Sequence, residues 1–323
     1  MRPTPLRAGR PTACSCVAVA LAAALATEAG CSPDYKGTPP FVAEGSDAGA
    51  ADGAPDRSVP DDAAATGRCD RSKPFEPGVP LADLSPPDDP SSEPSVFLSA
   101  DELTAYLASE RPGGLGKTDL YVATRAQRDL PFGKPVPLPG AVNGAVDERH
   151  ATLPDDELSL YFERSGAWFR ATRATPTGAF GAPTALLSGQ LVFSPYVAAS
   201  GKSAYFTHLR GDGGSTFVLF QYDFAQARLS ELPGLTALSF GANPVVIANE
   251  RELYFRGSGG ILRTVFDEPS RTWSQPAAAA VGQTGLTNAP TFVTRDGCLL
   301  YYSVEKPLGT GSNYKLFVAR RPR

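Results

Sequence analysis

Along residues 68–323, short runs of alternating apolar and polar positions recur, separated by Gly, Asp, Asn and Pro. Such runs, rich in β-branched and aromatic residues, are the signature of strands joined by tight turns. Five of them centre on a tyrosine: LTAYLAS at Tyr106, LSLYFER at Tyr161, KSAYFTH at Tyr205, RELYFRG at Tyr254 and CLLYYSV at Tyr301. The intervals are 55, 44, 49 and 47 residues. Each run follows a polar turn, and before each turn lies another apolar strand, such as SVFLS or PTFVT. A third strand comes after, for example DLYVATR or KLFVARR, and a weaker fourth closes each unit at PFGKPVPL, AFGAPTALL, ARLSELPG and TWSQPAAAAV.

Four antiparallel strands in a unit of this length form one blade of a propeller, and a blade buries both faces only when neighbours stack around a ring. Five three-strand sets share only four fourth strands, and the missing one stands at the other end, as KPFEPGVPL around Phe75. The pattern therefore predicts an all-β, five-bladed β-propeller over residues 69–323, closed by an N-terminal outer strand. A six-bladed ring with one degenerate blade is the alternative. The repeated tyrosines, Trp168 and Trp273 are expected as core between blades, although aromatics at the ring top could stack on sugars.

Composition agrees: Gly 32 and Pro 31 in 323 residues punctuate the chain too often for a helical bundle. The net charge of -4 resides almost wholly in residues 32–67, so the propeller region, with 25 basic and 26 acidic residues, has no basic field to hold nucleic acid.

Arg2, Arg7 and Arg10 precede an apolar run from Val17 to Ala26, too short to span a bilayer and suited to a secretory leader, so residues 1–30 are expected to be a signal peptide. The following Ala-Gly-Cys, ending at Cys31, resembles the lipobox of bacterial lipoproteins, which implies acylation of Cys31. Glu28 stands where that pattern has Leu, and ordinary cleavage near Ala29, giving a soluble periplasmic or secreted protein, is the alternative. Ser32 points, by the same resemblance, to the outer membrane. Residues 31–68 then form the lipid attachment and an acidic Ala/Asp/Gly/Pro tether that cannot bury enough surface to order itself. The anchor is the one membrane contact expected. With Cys14 and Cys16 lost with the leader and Cys31 lipidated, Cys69 and Cys298 remain as a pair in an oxidising compartment. A disulfide between them is expected to latch the ring.

The units ELTAYLASERPGGLGKTDLYVATRAQRDLPFGKPVPL and DERHATLPDDELSLYFERSGAWFRATR resemble the WD40-like propeller repeat of bacterial envelope proteins, the TolB type. The last unit matches fairly; the third and fourth keep the tyrosine strand and the spacing. The resemblance implies an envelope scaffold for protein contacts and no shared catalytic residues. Six blades and a separate N-terminal domain, usual in that type, are not displayed here, so no Tol-system role carries over.

Several motifs carry candidate chemistry. RPGGLGKTD, Arg111 to Asp119, lacks the first glycine and the following helix of a phosphate-binding loop and reads as a hairpin. Arg210-Gly211-Asp212 reads as turn formers in the equivalent hairpin of the third blade. Asp147 and Glu148 precede an inner strand and could face the channel mouth, where glycosidases of this architecture place paired acids. Asp155, Asp156 and Glu157 fall at the opposite end of that strand. Glu93, Pro195, Asn243 and Asn288 hold comparable positions in other blades, so no second and third acid converge. His150 and His208 have no Cys or His at ligand spacing; no metal site, cofactor or serine triad is expected. Asp147, Glu148, Arg149 and His150 form the densest polar cluster and are the candidate binding residues. Replacing Asp147 and Glu148 with Ala is expected to alter partner capture and leave folding intact. The expected function is a noncatalytic envelope lipoprotein whose propeller binds a protein or cell-wall-associated partner, without nucleic acid. A hydrolytic propeller using Asp147 and Glu148 is the alternative.

Overall fold

The computed structural model describes residues 68–323 except 210–216, 233–234, 236–241, 248, 258, 280, 283–285 and 309–310. Cys31 and Arg210-Gly211-Asp212 lie outside the described residues. The described elements are strands and turns, arranged as five antiparallel sheets.

The first strand, β1 (Val79–Pro80), belongs to the last sheet. Blade 1 runs from the inside outwards as β2 (Ser95–Leu98), β3 (Thr104–Ser109), β4 (Asp119–Thr124) and β5 (Val136–Pro137). Blade 2 is β6 (Glu148–Thr152), β7 (Ser159–Arg164), β8 (Ala167–Thr172) and β9 (Thr184–Leu186). Blade 3 is β10 (Phe193–Val197), β11 (Ser203–Leu209), β12 (Phe217–Asp223) and β13 (Arg228–Glu231). In blade 4, β14 (Val245–Val246), β15 (Glu252–Gly257) and β16 (Gly260–Asp267) are followed by a divided outer strand, β17 (Thr272–Trp273) and β18 (Ala277–Ala278), both paired with β16. The division falls at Ser274-Gln275-Pro276, where proline has no N–H for a ladder. Blade 5 is β19 (Thr287–Val293), β20 (Leu299–Leu308) and β21 (Gly311–Arg320), completed on the outside by β1.

The ring thus closes as the count of strands predicts. Val79 lies opposite Val318 and Pro80 opposite Phe317, flanked by amide bonds from Glu76 to the Arg320 carbonyl (2.8 Å) and from Leu81 to that of Leu316 (2.9 Å). Cys69 and Cys298 form the expected disulfide, with Cα atoms 5.6 Å apart. The outermost strands β1 and β5 each carry a proline, which blunts exposed edges against further pairing.

All five tyrosines of the repeat are buried. They are tied to neighbouring blades by a recurring device. The residue after the third strand is Arg125 in blade 1, Arg173 in blade 2 and Arg321 in blade 5. Nε of each donates to the carbonyl of a turn residue in its own blade: Glu102 (2.8 Å), Glu157 (2.7 Å) and Gly297 (3.0 Å). These turn residues share a left-handed conformation, with φ of 62°, 55° and 69°. Each guanidinium lies over the aromatic ring that leads the outer strand, Phe132, Phe180 or Phe75, at 4.3 to 4.4 Å from the centroid. Each also reaches the tyrosine of the preceding blade: Arg173 donates to Tyr106 (3.2 Å) and Arg321 to Tyr254 (2.7 Å), and Arg125 faces Tyr301. In blade 3 the residue after the third strand is Phe224, and in blade 4 the counterpart by backbone pairing is Phe266, within β16, whose amide donates to the Arg251 carbonyl (2.8 Å) as that of Phe224 does to Lys202 (3.0 Å). Phe224 packs on Tyr161 of the preceding blade with centroids 5.4 Å apart. In blade 4, Glu250 accepts from the Tyr205 hydroxyl at 3.0 Å.

Candidate functional site

The inner strands converge at their N-terminal ends, and there the backbone departs from regular pairing. In β6 the register shifts between Arg149 and Thr152, and in β10 between Phe193 and Tyr196. His150, Ser194 and Asn243, one from each of blades 2, 3 and 4, adopt φ of 53°, 52° and 46°. Left-handed backbone is costly for non-glycine residues, least so for Asn and His, and its clustering marks functional positions more often than chance.

His150 is held on three sides. Its amide donates to Ser95 Oγ of blade 1 (3.3 Å), Nδ1 meets Glu163 Oε2 (3.2 Å), and Asn243 Nδ2 lies 3.1 Å from Nε2. Glu163 Oε2 also accepts the Ser194 amide (2.9 Å). Burial pushes the Glu163 carboxyl up, but the bond and charge of His150, the Ser194 amide and Arg149 outweigh it and hold the group below its usual range. The His150–Asn243 contact spans the channel between non-adjacent blades.

Above this bridge opens a mouth of about 280 Å³ to which every blade contributes: Pro94 from blade 1, Arg149, His150 and Glu163 from blade 2, and Phe193 and Ser194 from blade 3. Asn243 and Arg256 of blade 4 and Ala289, Ser303 and Tyr314 of blade 5 complete it. Below, the channel shrinks to about 10 Å³, room for roughly one water. Phe97 fills the axis further on, against Phe292 (centroids 4.8 Å apart) and Tyr196 (6.1 Å). Arg149 donates through Nη2 to Asp147 (3.0 Å) and Thr118 Oγ1 (3.3 Å), while its Nε is buried without an acceptor among the described residues. Burial, then the charge of Glu305, raises the Tyr314 phenol.

The predicted cluster is therefore divided. Arg149 and His150 line the mouth; Asp147 supports Arg149 from behind and accepts the Thr118 amide (3.2 Å). Glu148 is wholly buried away from the mouth, where it accepts from Arg164 Nε (2.8 Å) and the Gly144 amide (3.2 Å). Desolvation raises its carboxyl, against the opposing pull of Gly144 and Arg164. Glu93 repeats this arrangement in blade 1, wholly buried with Arg111 (3.1 Å) and Lys315 (3.3 Å). These lead-in acids are neutralised by cations and do not face one another. The single acid lining the mouth among the described residues is Glu163, which sequence reasoning missed together with Ser194, Arg256 and Tyr314. Asn243-Pro244 and Ser194-Pro195, alike in place in successive blades, were the available signal.

His208 turns Nδ1 to the Leu191 carbonyl (2.6 Å). The glycine-rich segment after Arg111 is a connection between β3 and β4, as expected, and no group of three or more metal-ligating side chains occurs among the described residues.

No family model matches the chain, and a comparison with curated proteins finds no match in sequence. Among solved structures, the chain is similar to TolB from Acinetobacter baumannii, at 14% identity and a TM-score of 0.43 over 68% of this chain and 51% of that one. It thus spans about half the length of that protein. It is also similar to the α-L-arabinofuranosidase PaAbf62A from Podospora anserina, solved with cellotriose, at 13% identity and a TM-score of 0.48 over 77% and 98% of the two chains. A GH43_1 enzyme from Xanthomonas citri is 15% identical, with a TM-score of 0.46 over 75% and 89%. At such identities the likeness concerns fold alone.

Proposed function

We propose that this chain is a noncatalytic scaffold of the bacterial envelope, of the TolB-like kind, exported and anchored through acylated Cys31. Its propeller mouth recognises a protein or cell-wall-associated partner. The observation that carries the reading is the mouth itself: side chains from all five blades, polar and apolar together, converge on one recess, while the acids nearest to it are committed to arginine or histidine. Hydrolysis by paired carboxylates needs two acids flanking the scissile bond; recognition needs only a rigid recess with oriented polar groups.

Affinity capture from envelope extract, with Arg149→Ala and Asn243→Ala as controls, tests the reading. A partner retained by the native chain and lost by both variants is expected, with no turnover on glycan, ester or peptide panels. Robust hydrolysis that vanishes in Asp147→Asn or Glu148→Gln would replace the scaffold with an enzyme.

A further inference from the structure

Resting on that reading of the mouth as a recognition site, we infer that it takes an uncharged sugar ring, presented as the terminal unit of a glycan. Four features point the same way. The first is charge. Arg149 and Arg256 are set against Asp147, Glu163 and Glu305, the last beside Tyr314, so the surroundings cancel to within one unit and offer an ionic ligand no strong counter-field.

The second is the kind of polar group. The guanidiniums of Arg149 and Arg256, the carboxylate of Glu163 and the amide of Asn243 line the recess as planar polar groups, the kind that pairs with sugar hydroxyls, and the bonds of Arg149 to Asp147 and Thr118, of Glu163 to His150 and Ser194 and of Asn243 to His150 hold three of them in place. The third is the apolar component: Phe193 from blade 3 and Tyr314 from blade 5 line the same recess and offer ring surface to the C–H face of a sugar.

The fourth is shape. The mouth holds about 280 Å³, below the usual span of pockets for drug-sized molecules. Its floor, the His150–Asn243 bridge, leaves only about 10 Å³ of channel beneath. A polymer cannot thread through, so a glycan is read at its end. The bridge also fixes the imidazole of His150 and the Asn243 amide at the floor of the recess.

Titration of the folded propeller with glucose, N-acetylglucosamine, cellobiose, glucuronate and glucosamine, followed by heteronuclear NMR, tests the inference. Saturable shifts with a neutral sugar are expected, weakened about tenfold or more in Tyr314→Ala and Asn243→Ala, each checked by thermal melting for retained fold. Absence of saturable binding by every neutral sugar would overturn it. So would neutral-sugar binding unchanged in both variants, or tighter binding of glucuronate or glucosamine than of glucose. Cleavage of cellobiose during the titration would instead sink the noncatalytic reading while leaving the ligand class standing.

Discussion

Arg173 of the second blade donates to the phenol oxygen of Tyr106 in the first, 3.2 Å away, while its own plane lies over Phe180. One side chain thereby joins two blades and pins the outer strand of its own. Loss of a charge-assisted hydrogen bond and of a cation–π contact at this nearly buried position sets the scale of its contribution.

Arg173→Ala is expected to destabilise the propeller by about 3 kcal/mol, lowering Tm by roughly 6–12 °C for a domain of this size. Arg173→Lys keeps the charge without the planar fork and should recover less than half of that. Thermal melts of the two variants check this; equal Tm for Arg173→Ala and the native chain would remove the inter-blade role.

The disulfide closes a sequence separation of 229 residues. By the loop-entropy argument its removal lowers stability by at most about 5 kcal/mol. The Cys69→Ser/Cys298→Ser double variant and the native chain in reductant should show the same fall in denaturant midpoint. A midpoint insensitive to reductant would contradict the latch.

Glu252 is buried among Arg71 (2.9 Å), Arg263 (2.6 Å), Arg321 (3.2 Å) and the Tyr254 hydroxyl. Burial opposes its ionisation, but the bonds from Arg263, Tyr254 and Arg71 bring its carboxyl down to about 2 from an ordinary 4.5. A depressed acid stabilises the fold fully above its unfolded value and loses that contribution as pH falls through the folded one. Between about pH 4.5 and 2, the propeller should therefore lose on the order of 3 kcal/mol from this group. Urea titrations at pH 7 and pH 3 measure it, and Glu252→Gln should flatten the difference.

Asp147 and Glu148, adjacent in sequence, should behave differently. Glu148→Ala strands Arg164 in a mostly buried site and is expected to destabilise by about 3 kcal/mol. Asp147 is about one-third exposed, and Asp147→Ala should lower stability by less than about 1 kcal/mol. The expectation that both could be removed without harm to folding is corrected for Glu148, because the strand register turns its side chain into the blade packing. Chemical denaturation of the two single variants separates them.

The architecture was legible because propeller blades repeat their chemistry: Tyr106, Tyr161, Tyr205, Tyr254 and Tyr301 mark the second strands, and the unmatched strand after Phe75 reveals closure. The cysteine pair followed from counting. The mouth was less legible because it depends on local backbone conformation. An irregularity of one or two residues in an inner strand exchanges which side chains face the axis, so His150 and Arg149 reach the mouth while Glu148 turns away. Glu163 sits on a second strand, where alternation alone suggests a blade-packing residue. Its role appears only once the left-handed turns at His150 and Ser194 bring an imidazole and an amide to its carboxylate.

The pairing of β1 with β21 also governs the order of assembly. During synthesis β1 emerges before every other described strand, yet its partner follows some 240 residues later. Until then the last sheet lacks its outer strand, and a pairing of such long range forms slowly. Ring closure is accordingly a late event that reports completion of the whole propeller, and a chain stopped short of β21 exposes an unmatched strand at its start for quality control to find.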